Sequence, residues 1–331
     1  MEMWLDKSAL LALPMRGESY QRVVAAAGKL QGPPVLHDDS LHNTNTFAAA
    51  LVAARTQNRA LASQVEQTLL RIGSVAVEDA AQKPLRCTRQ LAAYILAFDV
   101  LDDVMPWSAA SKTRFKAAVR KIFTHKFPSG HSGAHTIIET ALLSANNHGT
   151  MARMTAAAAC LLLGDASPLD IGELAECHAA WCGEKNGYDQ LIYSRTTWHA
   201  DPNHRCGINR RGATIAGHNV DGMLPEEQRR AEGQSHFAWP PGRTNYVWGA
   251  LQGALVCHVL LQRAGKLELD VADAALLRAV QAQHRLKMPA EGDDVFLLHL
   301  ANDLWPKAGV MITDEKKPGK VLGFTSWTHG G

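Results

Sequence analysis

Asn146-Asn147-His148-Gly149-Thr150 runs directly into the Ala-rich stretch Met151 to Leu163. Asn is a poor helix-interior residue and a good N-cap, so the pair marks the start of a helix. Capping needs one Asn, which leaves the second and His148 over. A helix N-terminus that offers side-chain amides, an imidazole and free backbone N–H groups is also a place to hold a carboxylate. Further along the chain, other residues suited to acid–base and anion chemistry recur: Asp221, then Glu226 and Glu227 followed by Arg229 and Arg230, then Arg243 three residues before Tyr246. Asn and Arg bind a carboxylate without titrating, and the Arg fork does so bidentately. Tyr and His are the proton carriers of such a set.

Between these points lies 183–242, poor in regular pattern but rich in Trp198, His199, His204, His218 and Trp239. A long irregular segment in a compact helical domain is functional or disordered. Its apolar residues, Trp198, Ile208, Ile215, Phe237 and Trp239 among them, argue for an ordered wall beside a site. Each His there is by default a surface or structural residue. Trp198 and Trp239 are stacking surfaces for sugar rings, whereas Trp248, inside a helical pattern, reads as core.

The elements that must position these residues are helices. Helical spacing of apolar residues runs from Tyr20, after the polar run His37 to Thr46, through Leu61 to Ile72, Leu85 to Leu101 and Ser111 to Phe123, where basic residues line one face. It resumes at Pro168 to Trp181, Arg243 to Leu260, Ala272 to Leu286 and Asp293 to Leu304. Strand-like alternation is absent from the first half, and short linkers suggest helical hairpins in one all-α domain spanning 1–331. The polar run His37 to Thr46 reads as a solvated loop with a helix cap. A loop carrying His131 and His135 delivers the chain to the Asn pair. The tail after Lys316 has no pattern and is expected to pack over one end of the domain.

A content of 46% hydrophobic residues in 331 supports a substantial core, and a formal net charge of +2 without a dense basic run argues against a nucleic-acid partner. The six Cys are scattered through apolar helical stretches. Cys177-x4-Cys182 lacks a second pair, so buried free thiols, no metal and no cofactor are expected. Met1 to Arg16 carries Asp6 where a secretion signal has basic residues, and Pro14 breaks its apolar run; no stretch is long enough to span a membrane. No secretion signal and no membrane partner are therefore expected.

In combination, Asn146 to Thr150 with the Ala-rich helix ending at Leu163-Gly164-Asp165, the stretch Asp221 to Arg230, and Arg243 to Tyr246 opening an apolar helix resemble the alginate-lyase-like polysaccharide lyases. The resemblance extends over roughly Leu36 to Gly265. It implies an (α/α) toroid or incomplete barrel and β-elimination on a uronic-acid polymer such as alginate, glucuronan or a capsular or exopolysaccharide. It also implies a setting of bacterial or phage depolymerases, cytoplasmic until release or extracellular. Carried onto this chain, it makes Asn147, His148, Tyr246 and Arg243 catalytic. Arg243 is preferred to Arg229 or Arg230 because it lies within about a turn of Tyr246. Asn146, His199, Arg230, His218, Trp198 and Trp239 become substrate-binding. Whether His148 or Tyr246 is the base stays open. Two other readings stand beside this one: an inverting glycoside hydrolase using Asp221 with Glu226 or Glu227, and a non-catalytic glycan-binding protein.

Overall fold

The computed structural model describes residues 2–37, 40–75, 84–183, 188–231, 236–267 and 274–330. Among these the chain forms helices α1 (Lys7–Ala12), α2 (Glu18–Ala27), α3 (His42–Thr56), α4 (Arg59–Leu70), α5 (Pro84–Val104), α6 (Ala109–Phe123), α7 (Ile137–Leu143), α8 (Asn147–Leu163) and α9 (Ile171–Cys182). A small hairpin, β1 (Thr214–Ile215) and β2 (His218–Asn219), precedes the single turn α10 (Pro225–Gln228). Then come α11 (Tyr246–Arg263), α12 (Ala275–Arg285), α13 (Phe296–Leu304) and α14 (Thr325–Thr328). The mostly helical class expected from the sequence is what is observed. Parts of the expected loop, 184–187 and 232–235, and the 272–273 start of a helix lie outside the described residues.

Four helices, α3, α5, α8 and α11, form a contiguous row, α3 on α5, α5 on α8, α8 on α11. α3, α8 and α11 are buried on nearly every face, which their Ala, Gly and Cys content permits; a helix apolar all round belongs inside a core. α8 and α11 approach closely because Gly253 faces the α8 backbone. A Cβ there would sit 2.5 Å from Met151 N and from Thr150 C. All four begin at the same end of the molecule. Asn43 Nδ2 in the first turn of α3 donates to Arg89 O near the start of α5 (3.2 Å), and Arg89 Nε reaches Met151 Sδ early in α8 (3.4 Å).

The polar run before Phe47 differs from its reading as a solvated loop. Asn43, Thr44 and Thr46 lie inside α3 and are buried, with Asn43 Nδ2 also donating to Lys320 O. α3 begins without a side-chain cap; Asn43 satisfies carbonyls brought from distant segments, while the Thr44 and Thr46 hydroxyls donate back to Leu41 O and His42 O. α6 is amphipathic as expected, with Phe115, Val119 and Ile122 inward and Ser108 capping its N-terminus at Ser111 N.

The segment after Gly183 is neither wholly irregular nor loose. Val220, Met223 and Ala282 form a second small core with Trp198, Ile215, Phe237 and Leu286, which seats the segment on α12. The patternless tail is also packed. Arg22 pairs with Asp314, Trp327 Nε1 donates to Pro14 O (2.8 Å), and Trp4 meets His329 edge-on at 4.9 Å. α13 packs on α11, and α14 on both α13 and α2. No helix among the described residues is long and apolar enough to cross a membrane.

Candidate functional site

Asn146 is the N-cap of α8. Its Oδ1 accepts from His148 N at 3.0 Å, so the helix begins at Asn147, four residues before the apolar run. Gly149 allows this turn. A Cβ there would stand 1.7 Å from Ser144 O, so no other residue fits where the preceding strand-like segment meets the helix. Asn146 and Asn147 are buried, while His148 is half-buried.

Asn147 is held from two sides. Its backbone N–H donates to Glu227 Oε1 (2.5 Å), and its side-chain Oδ1 accepts from Arg230 Nη1 (2.8 Å). The same Nη1 donates to Glu227 Oε2 (3.0 Å), which closes a triangle of Asn147, Glu227 and Arg230. The guanidinium lies over Tyr246, with Cζ 3.3 Å from the ring centroid, a cation–π contact. Tyr246 is the first residue of α11 and is 42% exposed, so its ring is presented at the surface end of the row. Asn146, Asn147, His148, Arg230 and Tyr246 are thus gathered in one place, at the N-termini of α8 and α11.

Arg243 is not part of that group. It pairs with Glu291 at 2.6 Å on the exposed side of the 289–294 loop and lines a cavity there with Trp248 and Asp294. The expected juxtaposition of Arg243 with Tyr246 is replaced by Arg230. The chain reverses after α10, and one helical turn places Arg230 beside both Glu227 and Asn147. Sequence distance pointed to Arg243; the guanidinium over Tyr246 is that of Arg230, sixteen positions before it.

Glu227 is buried, and burial pushes its carboxyl up to about 7. The Arg230 guanidinium and the Asn147 N–H pull it down, and neighbouring Glu226 raises it. Glu226 has a parallel arrangement on the other side. It pairs with Arg229 (2.5 Å), accepts from Ser194 N (3.1 Å) and is bonded by the Thr197 hydroxyl. Two consecutive Glu–Arg pairs at i,i+3 therefore tie α10 to α8 through one carboxylate and to the 194–197 wall through the other. The signal was in the sequence, as Pro225-Glu226-Glu227-Gln228-Arg229-Arg230. Asp221 is likewise engaged, accepting from Arg278 Nε (2.9 Å) and Gly212 N (3.0 Å).

The wall runs beside the approach to Asn146, with Ile192 N donating to Leu143 O (2.7 Å). His199 stands edge-on to Tyr193 at 4.7 Å. Burial and the Arg205 charge push His199 down to about 4, so it is neutral near pH 7. Tyr193 Oη and both His199 ring nitrogens are buried and without a hydrogen-bond partner among the described residues. Tyr193 also lines a polar cavity of about 180 Å³ with Asn203, Arg205 and Arg210.

His218 stacks on Trp239 at 4.7 Å with ring planes 10° apart, and Phe237 joins Trp239 to Trp198. Gln228 on α10 bonds Gly242 O, which anchors this aromatic cluster next to the start of α11. Trp239 is 39% exposed. Trp248 is core, as expected, with its Nε1 donating to Met288 O.

His131, from the loop before the Asn pair, was not singled out as a site residue. Its Nε2 is 3.0 Å from Asn146 Nδ2, and its ring is 5.0 Å from that of His148. The six cysteines are buried free thiols, and no group of three or more His, Cys, Asp or Glu among the described residues is placed to hold a metal ion.

No protein-family model matches the sequence, and no curated protein matches it.

Proposed function

We propose that the protein is a polysaccharide lyase that cleaves a uronic-acid polymer by β-elimination, and that its helices form an (α/α) toroid. The order of neighbours supports the toroid: α2, α3, α5, α8, α11, α13 and α14 touch in succession, and α14 returns to α2. The observation that carries the activity is the Asn147–Arg230–Tyr246 contact at the N-terminus of α8.

Each group suits one requirement of the elimination. The carboxylate beside C5 must be neutralised, so that the charge formed at C5 can spread onto it. Asn147 Oδ1 is occupied by Arg230, which leaves the Nδ2 end of the amide, a donor, to face an anion. Arg230 supplies a fixed positive charge. The first turn of α8 and the neighbouring helix starts add the positive ends of their dipoles. Tyr246 and His148 are the proton carriers. One takes the C5 proton, the released electron pair forms the C4–C5 double bond, the C4–O bond breaks, and the other returns a proton to the departing glycosidic oxygen.

Trp239 with His218, and Trp198 beside Phe237, offer aromatic faces suited to sugar rings. The hydrolase reading is weakened by the positions of its carboxyls. Glu226 and Glu227 are buried in Arg pairs facing away from each other's partners, and Asp221 is bound to Arg278.

Ultraviolet absorbance during incubation with a panel of uronic-acid polymers tests the reading. A rise marks the conjugated double bond and names the substrate class. New reducing ends with flat absorbance would replace elimination by hydrolysis.

A further inference from the structure

The loop that carries His131 is built with unusual constraint. Phe127 N donates to His135 O (2.7 Å), and Glu139 receives the N–H groups of His135 and Thr136 in a capping box at the start of α7. Gly130 comes so near Ala134 O that a Cβ would stand 1.6 Å away, and Ser132 holds a positive φ of 58°. A non-glycine residue in that region is costly and persists where its surroundings impose it. The loop places an exposed histidine against the buried cap of α8.

The cap fixes which proton that histidine carries. Asn146 Oδ1 must accept from His148 N, because a backbone N–H can only donate. The other end of the amide, Nδ2, is then the donor towards His131 Nε2, which must present a lone pair. The ring proton therefore sits on Nδ1, 2.8 Å from Ser132 Oγ, which accepts it. Asn146 Nδ2 also lies 3.4 Å from Nδ1, the longer of its two ring contacts.

From this geometry we infer that His131 is a positioning residue: as the neutral Nδ1–H tautomer it holds the Asn146 amide, and through Asn146 it sets the first turn of α8 that carries Asn147 and His148. Its role in turnover rests on the lyase reading; its tautomer and its bond to Asn146 do not.

Two measurements on the intact chain keep these levels apart. Long-range ¹H–¹⁵N correlation of the histidine rings near neutral pH is expected to show His131 with unprotonated Nε2 and protonated Nδ1, and Asn146→Ala is expected to release it from that form. The opposite tautomer, or no change on Asn146→Ala, overturns the inference whether or not any polymer is cleaved. On a polymer that the wild type cleaves, His131→Phe keeps a ring but no acceptor and should lower kcat about tenfold with KM nearly unchanged. His131→Gln, whose carbonyl can take the place of Nε2, should restore most of it. Wild-type turnover by His131→Phe, or equal losses in both variants, would refute the positioning role.

Discussion

The Arg230 guanidinium lies over the Tyr246 ring, Cζ 3.3 Å from its centroid, while its Nη1 holds both Asn147 and Glu227. The cation is therefore fixed between the Asn147 amide and the Tyr246 phenol, which the lyase proposal makes the carboxylate binder and a proton carrier. Tyr246→Phe retains the ring under Arg230 and removes only the hydroxyl. We expect turnover to fall about 10²- to 10⁴-fold, with substrate affinity and melting temperature close to wild type. Steady-state kinetics by absorbance, with a thermal melt, check this; near-normal kcat would remove Tyr246 from proton transfer.

Replacing Arg230 acts on stability and on activity together. Arg230→Ala leaves the Glu227 carboxylate buried without its cation, at a cost of about 3–5 kcal/mol, reduced at acidic pH where the carboxyl takes up a proton. Arg230→Lys keeps the charge but not the planar fork, and should fold better than it turns over. Arg243→Ala is the control. Its pair with Glu291 is exposed, so both melting temperature and kcat should stay near wild type. Loss of activity in Arg243→Ala with retention in Arg230→Lys would reverse the assignment.

Glu227 also predicts a pH dependence. Its carboxyl is pushed up to about 7 from an ordinary 4.5, so between these values the folded chain binds a proton that the unfolded chain releases. Stability contributed by that proton is present below about 4.5 and is lost as pH rises towards 7, on the order of 3 kcal/mol across the window. Asp294, also pushed up to about 7, acts in the same direction, and buried His258, pushed down to about 4, in the opposite one. The difference between wild type and Glu227→Gln isolates the contribution of Glu227. Denaturant melts at several pH values should give a smaller fall with rising pH in the variant; parallel curves would show that Glu227 titrates normally.

Gly253 sets the distance between the two helices whose ends make the site. In Gly253→Ala the new methyl meets the α8 backbone at Thr150 and Met151, which cannot move aside as a side chain can. A loss of about 1–3 kcal/mol is expected, together with a fall in kcat as Tyr246 shifts relative to Asn147. Unchanged melting and kinetics would mean that the helices separate without consequence for the site.

Much of this was legible in the sequence for specific reasons. The Asn pair before an Ala-rich run located the start of α8, since capping is a local interaction between neighbours. The helix expected from Arg243 starts at Tyr246, a residue singled out through the family resemblance rather than through a cap. Asn43 of α3 was misread as loop because its partners, the carbonyls of Arg89 and Lys320, lie far away in sequence. Arg230 was weighed below Arg243 because closeness to Tyr246 along the chain is a poor guide once α10 turns the backbone. His131 was noticed only as part of a loop, since nothing local announces that its ring will meet Asn146.

Glu226 and Glu227 are adjacent residues in a single turn of helix, yet one grips the wall at Ser194 and Thr197 and the other grips the start of α8. The turn works as a crossbar. Tension on the wall pulls on the same turn that fixes Asn147, so the 194–197 wall is mechanically joined to the first turn of α8. A graft that exchanges the wall between proteins would have to carry 188–231 as one piece, because cutting between the wall and α10 would set Asn147 adrift.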